Sequence, residues 1–406
     1  MQPLTRDKQV FNSNLQNLLS DNLDQEVIRH WLRQGFQLEK VSLGQRVQSL
    51  WSGYGEIVKF ELTPFLSQAS FLSQTSSLSN AKPPTSVVVK WVNPPETVVH
   101  PRGWQSDIAH QRKLSSYLVE MNAYRLFNQT RKLEIWPSNL NIPYCHQAYY
   151  DQKSCQQVLL LEDLDASGFP LRYDSLTETQ ILPCIDWLAS FHAFFLQDFA
   201  KPDNRGMSSH LPQGFENKVD NFATCSQSLP KPFGLWPIGS YWHLATRPDE
   251  LQKMPESKLK QKAAALDEKL NNLRFKTLIH GDAKVANFCF SKKNQTGGVK
   301  VAALDFQYTG VGCGMKDFIY LLGSCLSESE CQTHWGQLLD AYFVKLKMCL
   351  AELGSELDIE ALEQEWRFAF ELAWADFQRF LEGWSPAHKK NTSFSRALTA
   401  SALSKL

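Results

Sequence analysis

The hydrophobic pattern of this chain becomes mainly helical after about residue 164, and that change constrains the fold more than any other feature. Before it, most apolar residues form the short runs typical of strands. After it, they recur mainly at the three- and four-residue spacing typical of helices. The runs at 86–92 (SVVVKWV) and 157–164 (QVLLLEDL) are apolar on both faces, which predicts strands buried inside a sheet. A strand-rich part followed by a helix-rich part favours an α+β chain with a small β-rich lobe and a larger, mainly helical lobe.

Two domains are expected from this pattern, residues 1–164 and residues 165–406. The first begins with extra helices over roughly 1–40 and contains a serine-rich stretch, 67–86, that is predicted to be a loop. Its other predicted elements are strands at QRVQSLWSG and EIVKFELTP, the strand 86–92, a helix over roughly 110–128, and strands at NIPYCHQAYY and 157–164. Those of the second domain are a helix through ILPCIDWLASFHAFFL, a loop-rich stretch at 200–250, a charged helix at roughly 255–274, strands at FKTLIH, NFCF and VKVAALDF, and mostly helix near the C-terminus.

The composition argues against several classes of protein. The 406 residues carry 42 Lys and Arg against 42 Asp and Glu, and a chain without excess positive charge is not expected to bind nucleic acid. No window offers about 18 uncharged apolar residues, so no membrane span is expected. The N-terminus lacks the apolar core of a signal peptide, and the nine scattered cysteines include no CxxC pair. We therefore expect reduced thiols and a cytoplasmic protein.

Four polar side chains follow the ends of two short apolar strands in the second domain. The string LIHGDAKVAN presents Asp282, Lys284 and Asn287 after the first strand, and the string VAALDF ends the second strand on Asp305. Asp305 and Asn287 are hard oxygen ligands suited to Mg²⁺, which binds few protein groups and keeps phosphate oxygens and waters. Asp282 is placed to accept a proton from a hydroxyl, and Lys284 to neutralise a phosphoryl group during transfer. This set predicts phosphoryl transfer, which depends on positioning and charge neutralisation.

A simpler interpretation is that HGD is a turn and Asp305 a cap at a strand end, because single aspartates in turns usually have no other role. The joint spacing argues against it. Asp282 is followed by lysine at the second position and asparagine at the fifth, and later by an aspartate that ends an apolar strand. This is the order of the HRDxxxxN and DF motifs of protein kinases. We therefore favour a catalytic role over coincidence.

Lys90 lies inside the apolar strand SVVVKWV, where an unpaired charge is costly, so it is expected to have an anionic partner. The alternative is an edge-strand lysine whose ammonium group reaches water. Glu120 is the candidate partner, because on the helix predicted there it shares a face with Tyr117, Tyr124 and Phe127. A Lys–Glu pair of this kind orients the lysine on nucleotide phosphates.

Two further segments are candidates for nucleotide contacts. Gly53 and Gly55 lie in a turn between two strands, where backbone amides are available to phosphates, although Gly-x-Gly in a hairpin is usually only turn chemistry. Glu162, Asp163 and Leu164 lie at the junction of the two domains, where backbone groups are available to an adenine edge. The alternative for this second segment is an ordinary buried strand.

These strings together resemble the kinase-like phosphotransferase superfamily, which includes aminoglycoside phosphotransferases, choline kinases and ecdysteroid kinases. HGD in place of HRD points to its small-molecule branch. The strings LLLEDLDASGF, LIHGDAKVANFCF and LDFQYTGVGCGMKD most resemble the ecdysteroid kinase-like (CHK kinase-like) family. Together with Lys90 and Glu120, the resemblance spans about residues 45–325.

The resemblance implies a two-lobed protein-kinase-like fold, ATP as phosphate donor, Mg²⁺ as cofactor and a small hydroxylated molecule as acceptor. The roles it assigns are those of catalytic base for Asp282, metal ligands for Asn287 and Asp305, a phosphate-orienting pair for Lys90 and Glu120, and a brace of the catalytic loop for Asp317. One departure is the loop Ala-Lys-Val-Ala at 283–286, where the family more often carries bulkier residues, including an aromatic one.

The acceptor is expected to contact the second domain. The aromatic stretch LWPIGSYWH at 235–243 has no helical periodicity, and aromatic side chains crowded into a loop often line a pocket. Trp236, Tyr241 and Trp242 are therefore predicted to hold an apolar or aromatic hydroxylated acceptor. The stretch offers no acidic cluster for a polycationic one. A second aromatic stretch near the C-terminus, WADFQRF, is predicted to be core.

Other classes fit the sequence less well. The segment GVGCG at 310–314 is predicted to be a glycine-rich turn after a strand and superficially resembles a dinucleotide fingerprint. The third glycine spacing is wrong, however, and no βαβ unit surrounds it. Cys325, Cys331 and His334 lack a fourth ligand for zinc. The alternative function is that of a pseudokinase, a nucleotide-binding module without turnover, and the intact Asp282 and Asp305 argue against it.

Overall fold

The computed structural model describes most of the chain. The described residues are 28–30, 32–33, 38–42, 44–64, 84–95, 107–199, 234–293 and 298–406. The chain divides into two compact units, Met1–Pro95 with Cys145–Ser167, and Glu96–Tyr144 with Gly168–Leu406. The last of the three breaks between the units, which follows Ser167, lies close to the boundary predicted at residue 164. The helix predicted at about 110–128, however, belongs to the second unit and not to the first.

The first unit is built on one antiparallel sheet. Its strands are β1 (Leu38–Val41), β2 (Gln45–Ser49), β3 (Gly55–Pro64), β4 (Ser86–Val92), β5 (Cys145–Tyr150) and β6 (Gln157–Glu162). They are hydrogen-bonded in the order β1-β3-β4-β6-β5, and β2 also pairs with β3. The predicted strands at 86–92 and 157–164 are therefore confirmed. Because β4 pairs with β3 on one side and β6 on the other, the interpretation of Lys90 as an edge-strand lysine is wrong.

Apolar side chains of several strands form the core of this unit. Val58, Phe60, Val87, Val89 and Leu160 are completely buried and belong to one cluster. The three valines are β-branched and Phe60 is aromatic, shapes that pack well on a pleated surface. Burying each of the five side chains contributes roughly 1.5–3 kcal/mol. This cluster explains why the two-faced apolar runs of the sequence form interior strands.

The N-terminal segment differs from its prediction. Residues 28–30 and 32–33 are helical, but Leu38–Val41 is a strand that pairs with β3. The helix prediction over roughly 1–40 was wrong for this strand, because pairing with a distant strand overrode the local pattern. Most of that segment, and nearly all of the serine-rich loop predicted at 67–86, lie outside the described residues.

The second unit is mainly helical. Its helices are α1 (Asp107–Thr130), α2 (Leu182–Phe199), α3 (Pro248–Lys253), α4 (Lys258–Gln261), α5 (Ala263–Asn271), α6 (Met315–Cys325), α7 (Glu328–Glu352), α8 (Ile359–Trp384) and α9 (Ser393–Ser404). Its short strands are β7 (Thr277–Ile279), β8 (Phe288–Phe290), β9 (Val301–Ala303) and β10 (Gly310–Gly312), paired as β7 with β10 and β8 with β9. Three of the helices begin after a residue type that is preferred at helix N-termini. Ser327, Asp358 and Thr392 each accept a hydrogen bond from a backbone N–H in the first turn of the following helix.

Three local predictions for this unit need correction. The charged helix expected at about 255–274 is two helices that meet at Lys262. The GVG segment expected to be a turn is strand β10, paired with β7. The loop-rich stretch at 200–250 contains helix α3, whose first residue is proline, while residues 200–233 lie outside the described part of the chain. Glycine permits β10, because a Cβ atom at Gly310 would lie 2.1 Å from the carbonyl oxygen of Trp236.

An aromatic cluster around α2 forms the centre of the second unit. Trp187 and Phe191 are completely buried and stack with their ring centroids 5.0 Å apart. Phe127 of α1 meets the edge of Phe191 at 5.9 Å and that of Phe306 at 4.8 Å. Phe306 follows β9, so the cluster connects α1 and α2 to the segment that carries Asp305. Each aromatic contact adds about 0.5–1.5 kcal/mol to the gain from burial.

The described residues bear on two expectations from the sequence, the state of the cysteines and the lack of a membrane-spanning helix. Seven cysteines there are free and buried, whereas Cys155 is disulfide-bonded, so the expectation of uniformly reduced thiols is wrong at that position. None of the described helices combines the length and the apolar character needed to cross a membrane.

A buried carboxylate fixes the end of β6. Asp163 is 4% exposed, and its Oδ2 atom accepts hydrogen bonds from Ser86 Oγ at 2.6 Å and Lys59 Nζ at 2.8 Å. Its Oδ1 atom accepts the backbone N–H of Asp165 at 3.0 Å. Burial opposes the charge of Asp163, but the bonds from Lys59 and Ser86 outweigh it and lower the pKa of this carboxyl.

We predict that Asp163→Asn lowers the free energy of unfolding by about 1–3 kcal/mol at pH 7. Because the pKa of Asp163 is lower in the folded chain than in the unfolded one, the contribution is complete above the unfolded value of about 3.9 and is lost as pH falls through the folded value. Urea unfolding at pH 7 and pH 3 should therefore show a smaller difference between variant and parent at pH 3. The exposed Asp174→Asn is the control, and an equal difference at both pH values would contradict the prediction.

Candidate active site

The turn after β7 delivers Asp282 through a backbone conformation that only glycine adopts easily. Gly281 has φ +77°, and a Cβ atom there would lie 2.0 Å from the carbonyl oxygen of Tyr308. The chain then forms a single 3₁₀ turn, Val285–Asn287, before β8 begins. This path returns Asn287 to the side of Asp282. Glycine in the HGD string is thus required by close packing as well as by the turn.

The two carboxylate oxygens of Asp282 have different surroundings. Oδ2 accepts hydrogen bonds from Lys284 Nζ at 2.9 Å and Asn287 Nδ2 at 3.1 Å. Oδ1 is buried and has no hydrogen-bond partner among the described residues. A buried carboxylate oxygen without a hydrogen-bond partner is costly, so this atom is suited to accept a hydrogen bond from a bound molecule.

The electrostatics keep Lys284 charged. The neighbouring charge of Asp282 raises the pKa of Lys284. Burial lowers this pKa, but the charge of Asp305 raises it further, and the net shift is upward. Burial and the Asp282 charge also raise the pKa of the Tyr320 hydroxyl well above its ordinary value. The site therefore presents one fixed cation beside its carboxylates, as the sequence predicts for Lys284.

The second predicted strand end meets the first. Leu304 N–H donates to the backbone oxygen of Asn287 at 3.0 Å, and His280 Nε2 lies 3.0 Å from the backbone oxygen of Leu304. Asp305 follows with φ 66°, a left-handed conformation that is uncommon for a residue other than glycine. Strained backbone of this kind is concentrated at functional sites. The structure thus brings together the strand ends that carry Asp282, Lys284, Asn287 and Asp305.

The residues predicted as metal ligands provide a donor set that fits a hard cation. Asn287 Nδ2 donates to the backbone oxygen of Asp282 at 2.8 Å as well as to its Oδ2, which fixes the amide. Within the described part of the chain no group of three His, Cys, Asp or Glu residues can hold a metal ion. A cation bound by Asn287 and Asp305 therefore needs further oxygens from outside the chain, as Mg²⁺ usually does.

Asp317 holds the turn at residues 280–282, the predicted catalytic turn, from behind. Its two oxygens accept the backbone N–H groups of His280 at 2.6 Å and Gly281 at 2.8 Å. His192 Nε2 lies 3.1 Å from Asp317 Oδ2, and its Nδ1 atom lies 2.7 Å from the Tyr342 hydroxyl. Both Asp317 and His192 are completely buried. His192 was not singled out from the sequence, where a histidine in an apolar helix carries no signal of its own.

The residues predicted to contact the nucleotide from the first unit lie in a tight turn and in buried strands. Gly53 has φ 75° and Gly55 has φ 131°, and a Cβ atom at Gly55 would lie 2.1 Å from the backbone oxygen of Trp91. Lys90 is 4% exposed. Glu162 ends β6 and accepts a hydrogen bond from Ser167 Oγ at 2.5 Å. Their nucleotide contacts stay predictions.

The segment Asp163–Leu164 and helix α1 complete the predicted nucleotide residues. Asp163 is held by the hydrogen bonds described above, and Leu164 is buried. Glu120 of α1 is 1% exposed, on the same buried face as Tyr117 and Tyr124. The predicted burial of this face is confirmed. The pairing of Glu120 with the strand lysine stays a prediction.

The 235–243 stretch splits into two environments. Tyr241 N–H donates to the Gly281 oxygen at 2.8 Å, which fixes Tyr241 beside the catalytic turn, and its half-buried ring meets the edge of Tyr308 at 5.0 Å. The half-buried Trp236 donates its indole N–H to the backbone oxygen of Gln307 at 2.8 Å. Trp242, by contrast, is completely buried. The structure therefore brings Trp236 and Tyr241 to the site and places Trp242 beneath it.

Trp242 belongs to a buried polar network. Its indole N–H donates to Asp376 Oδ2 at 3.1 Å, and Arg379 donates to the Trp242 backbone oxygen at 2.8 Å while pairing with Asp376 Oδ1. Burial, helped by the charge of Lys316, lowers the pKa of the adjacent His243 to about 4. These contacts hold the segment beneath Tyr241 in one conformation. The WADFQRF stretch, predicted to be core, supplies Asp376 and Arg379 and is buried as expected.

Arg247 is a site residue whose role the sequence alone did not indicate. Its guanidinium is buried, pairs with Glu250 at 2.9 Å and donates to the Tyr241 oxygen at 2.8 Å. It also lies 4.2 Å from the centre of the Tyr241 ring and 5.2 Å from that of Phe380. Burial opposes the charge, but Tyr241, Tyr308 and Glu250 outweigh it and raise the pKa of Arg247. Only tertiary contacts identify it, because the loop sequence has no periodicity.

Comparison with known proteins gives a family match and a set of distant structural similarities. The model of the ecdysteroid kinase-like family matches residues 105–355, more than half of the chain. No curated protein gives a significant match.

Three solved structures illustrate the structural similarity. An ethanolamine kinase from Plasmodium vivax is 10% identical, with a TM-score of 0.40 and coverage of 93% of this chain and 89% of that one. The choline kinase LicA from Streptococcus pneumoniae is 11% identical, with a TM-score of 0.38 and coverage of 94% and 99%. The amicoumacin kinase hAmiN, in complex with AMP-PNP and Ca²⁺, is 13% identical, with a TM-score of 0.42 and coverage of 95% and 94%.

We predict that Asp317→Ala destabilises the protein by about 2 kcal/mol or more, because it leaves two buried backbone N–H groups without an acceptor. Asp317→Asn should cost less, since its single oxygen still accepts one of them. Urea unfolding measures both. The control is Asp340→Ala, which removes only a surface ion pair with Arg367 and should cost at most about 0.5 kcal/mol. A cost for Asp317→Ala no larger than that of the control would contradict the bracing role.

Proposed function

Because the chain belongs to the ecdysteroid kinase-like family, we propose that it is an ATP- and Mg²⁺-dependent kinase that phosphorylates a hydroxyl group of a small molecule. The observation that carries the proposal is the asymmetry of Asp282. Its Oδ2 atom is held by Lys284 and Asn287, while its Oδ1 atom is buried without a donor. An acceptor hydroxyl would supply the missing donor.

In the proposed reaction Asp282 is the general base. The acceptor oxygen forms a bond to the γ-phosphorus of ATP, and the bond from that phosphorus to the β–γ bridging oxygen breaks. ADP leaves with the electron pair, and the hydroxyl proton passes to Oδ1 of Asp282. The ion pair with Asp282, at 2.9 Å, holds the Lys284 ammonium beside the proposed base. From there it would offset negative charge on the phosphoryl group during transfer. Most of the catalysis then comes from positioning and charge neutralisation.

Asn287 and Asp305 are proposed to hold Mg²⁺ through their oxygens. When bound, the ion would neutralise the phosphate oxygens of the nucleotide. The part played by the chain is to fix these two ligands. The double hydrogen bond of Asn287 to Asp282 directs the amide nitrogen inward and leaves the amide oxygen for the metal.

The first unit and α1 are proposed to bind the nucleotide. Backbone amides near Gly53 and Gly55 would cover the phosphates, and Lys90, oriented by Glu120, would contact them. Backbone groups of the segment 162–164, from Glu162 to Leu164, would meet the adenine edge, with Asp163 holding that segment in place through Lys59 and Ser86.

The acceptor is proposed to lie against Tyr241 and Trp236. Tyr241 is bonded to the catalytic turn at Gly281, and Trp236 is bonded to the backbone of the residue two positions after Asp305. Trp242, which is completely buried, would act by supporting Tyr241. An apolar or aromatic hydroxylated molecule fits these surfaces, and the fixed cation of Arg247 on the Tyr241 ring disfavours a polycationic one.

We predict that Asp282→Asn lowers kcat by about 10²–10⁴-fold, the usual contribution of a general base, while leaving the affinity for Mg²⁺-ATP nearly unchanged. Turnover is measured across a library of small alcohols with each ATP-dependent product identified, and nucleotide affinity is measured by calorimetry. Asp305→Ala is the matched comparison, because it should lose the part of ATP affinity that depends on Mg²⁺. Nucleotide binding without turnover on any acceptor would favour the pseudokinase alternative.

We predict that Tyr241→Ala raises the KM of the acceptor about tenfold or more and leaves the calorimetric affinity for ATP unchanged, because of the two substrates only the acceptor is proposed to contact its ring. The control is Phe368→Ala, an aromatic side chain near Lys269 and Lys405 on the outer face of α8. A change in ATP affinity with an unchanged acceptor KM would place the acceptor elsewhere.

A further inference from the structure

Gln307 lies two residues after Asp305 and is almost completely buried. Its side-chain nitrogen Nε2 donates to Asp305 Oδ1 at 2.7 Å. Its side-chain oxygen Oε1 accepts hydrogen bonds from Lys113 Nζ at 3.0 Å and from Ser116 Oγ at 3.2 Å, both on α1. Both ends of the amide are therefore used, one toward the carboxylate and one toward the helix.

The charge of Lys113 decides which way the amide points. Lysine has three donors and no acceptor, so only the oxygen of Gln307 can face it. If the side-chain amide of Gln307 flipped by 180°, its NH₂ group would face the Lys113 ammonium and its oxygen would face the Asp305 carboxylate. Both contacts would then be repulsive. Lys113 thus favours the amide orientation that places a hydrogen-bond donor against Asp305 Oδ1.

The backbone alone does not secure the Asp305 side chain. Asp305 has φ 66°, outside the strand region, and β9 has already ended at Ala303. Gln307 itself is anchored, because its backbone oxygen accepts the Trp236 indole N–H at 2.8 Å. Side-chain bonds from such fixed neighbours are what orient carboxylate ligands in metal sites.

We propose that Gln307 is a positioning residue for Asp305, and that Lys113, with Ser116, sets the polarity of its amide. This rests on the proposed function of Asp305 as a metal ligand. The bond from Gln307 holds the carboxylate in one rotamer, which lowers the cost of ordering it when the cation binds. Removing either Gln307 or Lys113 should weaken metal binding, although neither residue is a ligand.

The variants separate this role from a structural one. Gln307→Met keeps the length of the side chain and removes all three of its hydrogen bonds. Gln307→Glu still accepts from Lys113 and Ser116 but offers Asp305 a negative oxygen in place of a donor. Lys113→Met frees the amide to turn over, and Lys113→Arg, the conservative variant, should restore its orientation.

The test measures the affinity of MnCl₂ for the full chain by electron paramagnetic resonance, at saturating AMP-PNP. We expect Gln307→Met and Lys113→Met each to weaken Mn²⁺ binding by about 10–100-fold, the usual effect of losing a residue that orients a ligand. Lys113→Arg should stay near the parent. The double variant should lose no more than Gln307→Met alone, because both changes act through one amide. The control is Gln111→Met, an exposed glutamine on the same helix.

Two results would contradict the positioning role of Gln307 and Lys113. Unchanged Mn²⁺ affinity in both Gln307→Met and Lys113→Met would overturn it, as would full additivity in the double variant. If Gln307→Met does not fold, the half-buried Lys113 and its arginine variant still give the comparison. Failure of the parent protein to bind Mn²⁺ with AMP-PNP contradicts the proposed metal site itself, which distinguishes that failure from a failure of the positioning role.

Discussion

The buried carboxylate of Asp317 is the contact on which the rest of the site depends. It accepts the backbone N–H groups of His280 and Gly281, which are the two residues before Asp282. A turn at this point exposes donors that no strand or helix satisfies, and a buried carboxylate is the strongest acceptor available for them. The His192–Tyr342 pair behind it keeps Asp317 from rotating. The direction of Asp282 is therefore set before any substrate binds.

Near this turn the structure pairs opposite charges in two places. Lys284 faces Asp282, and Arg247 faces Glu250. Buried atoms that have no hydrogen-bond partner then point to functional positions, because a folded chain rarely leaves a buried acceptor without a hydrogen bond. Asp282 Oδ1 is one of them, and it is the atom at which the proposed chemistry needs a free acceptor.

Neutral amides connect these charges. The amide of Asn287 joins Asp282 to the proposed metal position, and the amide of Gln307 joins Asp305 to α1. An amide has a donor end and an acceptor end, so each of these bonds also fixes which atom faces the site. The sequence singled out α1 for Glu120, and the structure shows that Lys113 of the same helix bonds to Gln307.

The sequence by itself determined the strands β3 to β6, the long helices and the grouping of Asp282, Lys284, Asn287 and Asp305. Each of these rests on local periodicity or on fixed short spacings, which survive folding unchanged. It did not determine β1 and β10, since the first pairs with a strand far along the chain and the second forms because glycine allows close backbone approach. It could not separate Tyr241 beside the catalytic turn from Trp242 in the core, because neighbouring aromatic residues in a loop look alike until packing assigns them. Nor could it connect Lys113 to Gln307, 194 positions apart, because hydrogen bonds across that distance exist only once the helix and the β9 segment have packed together.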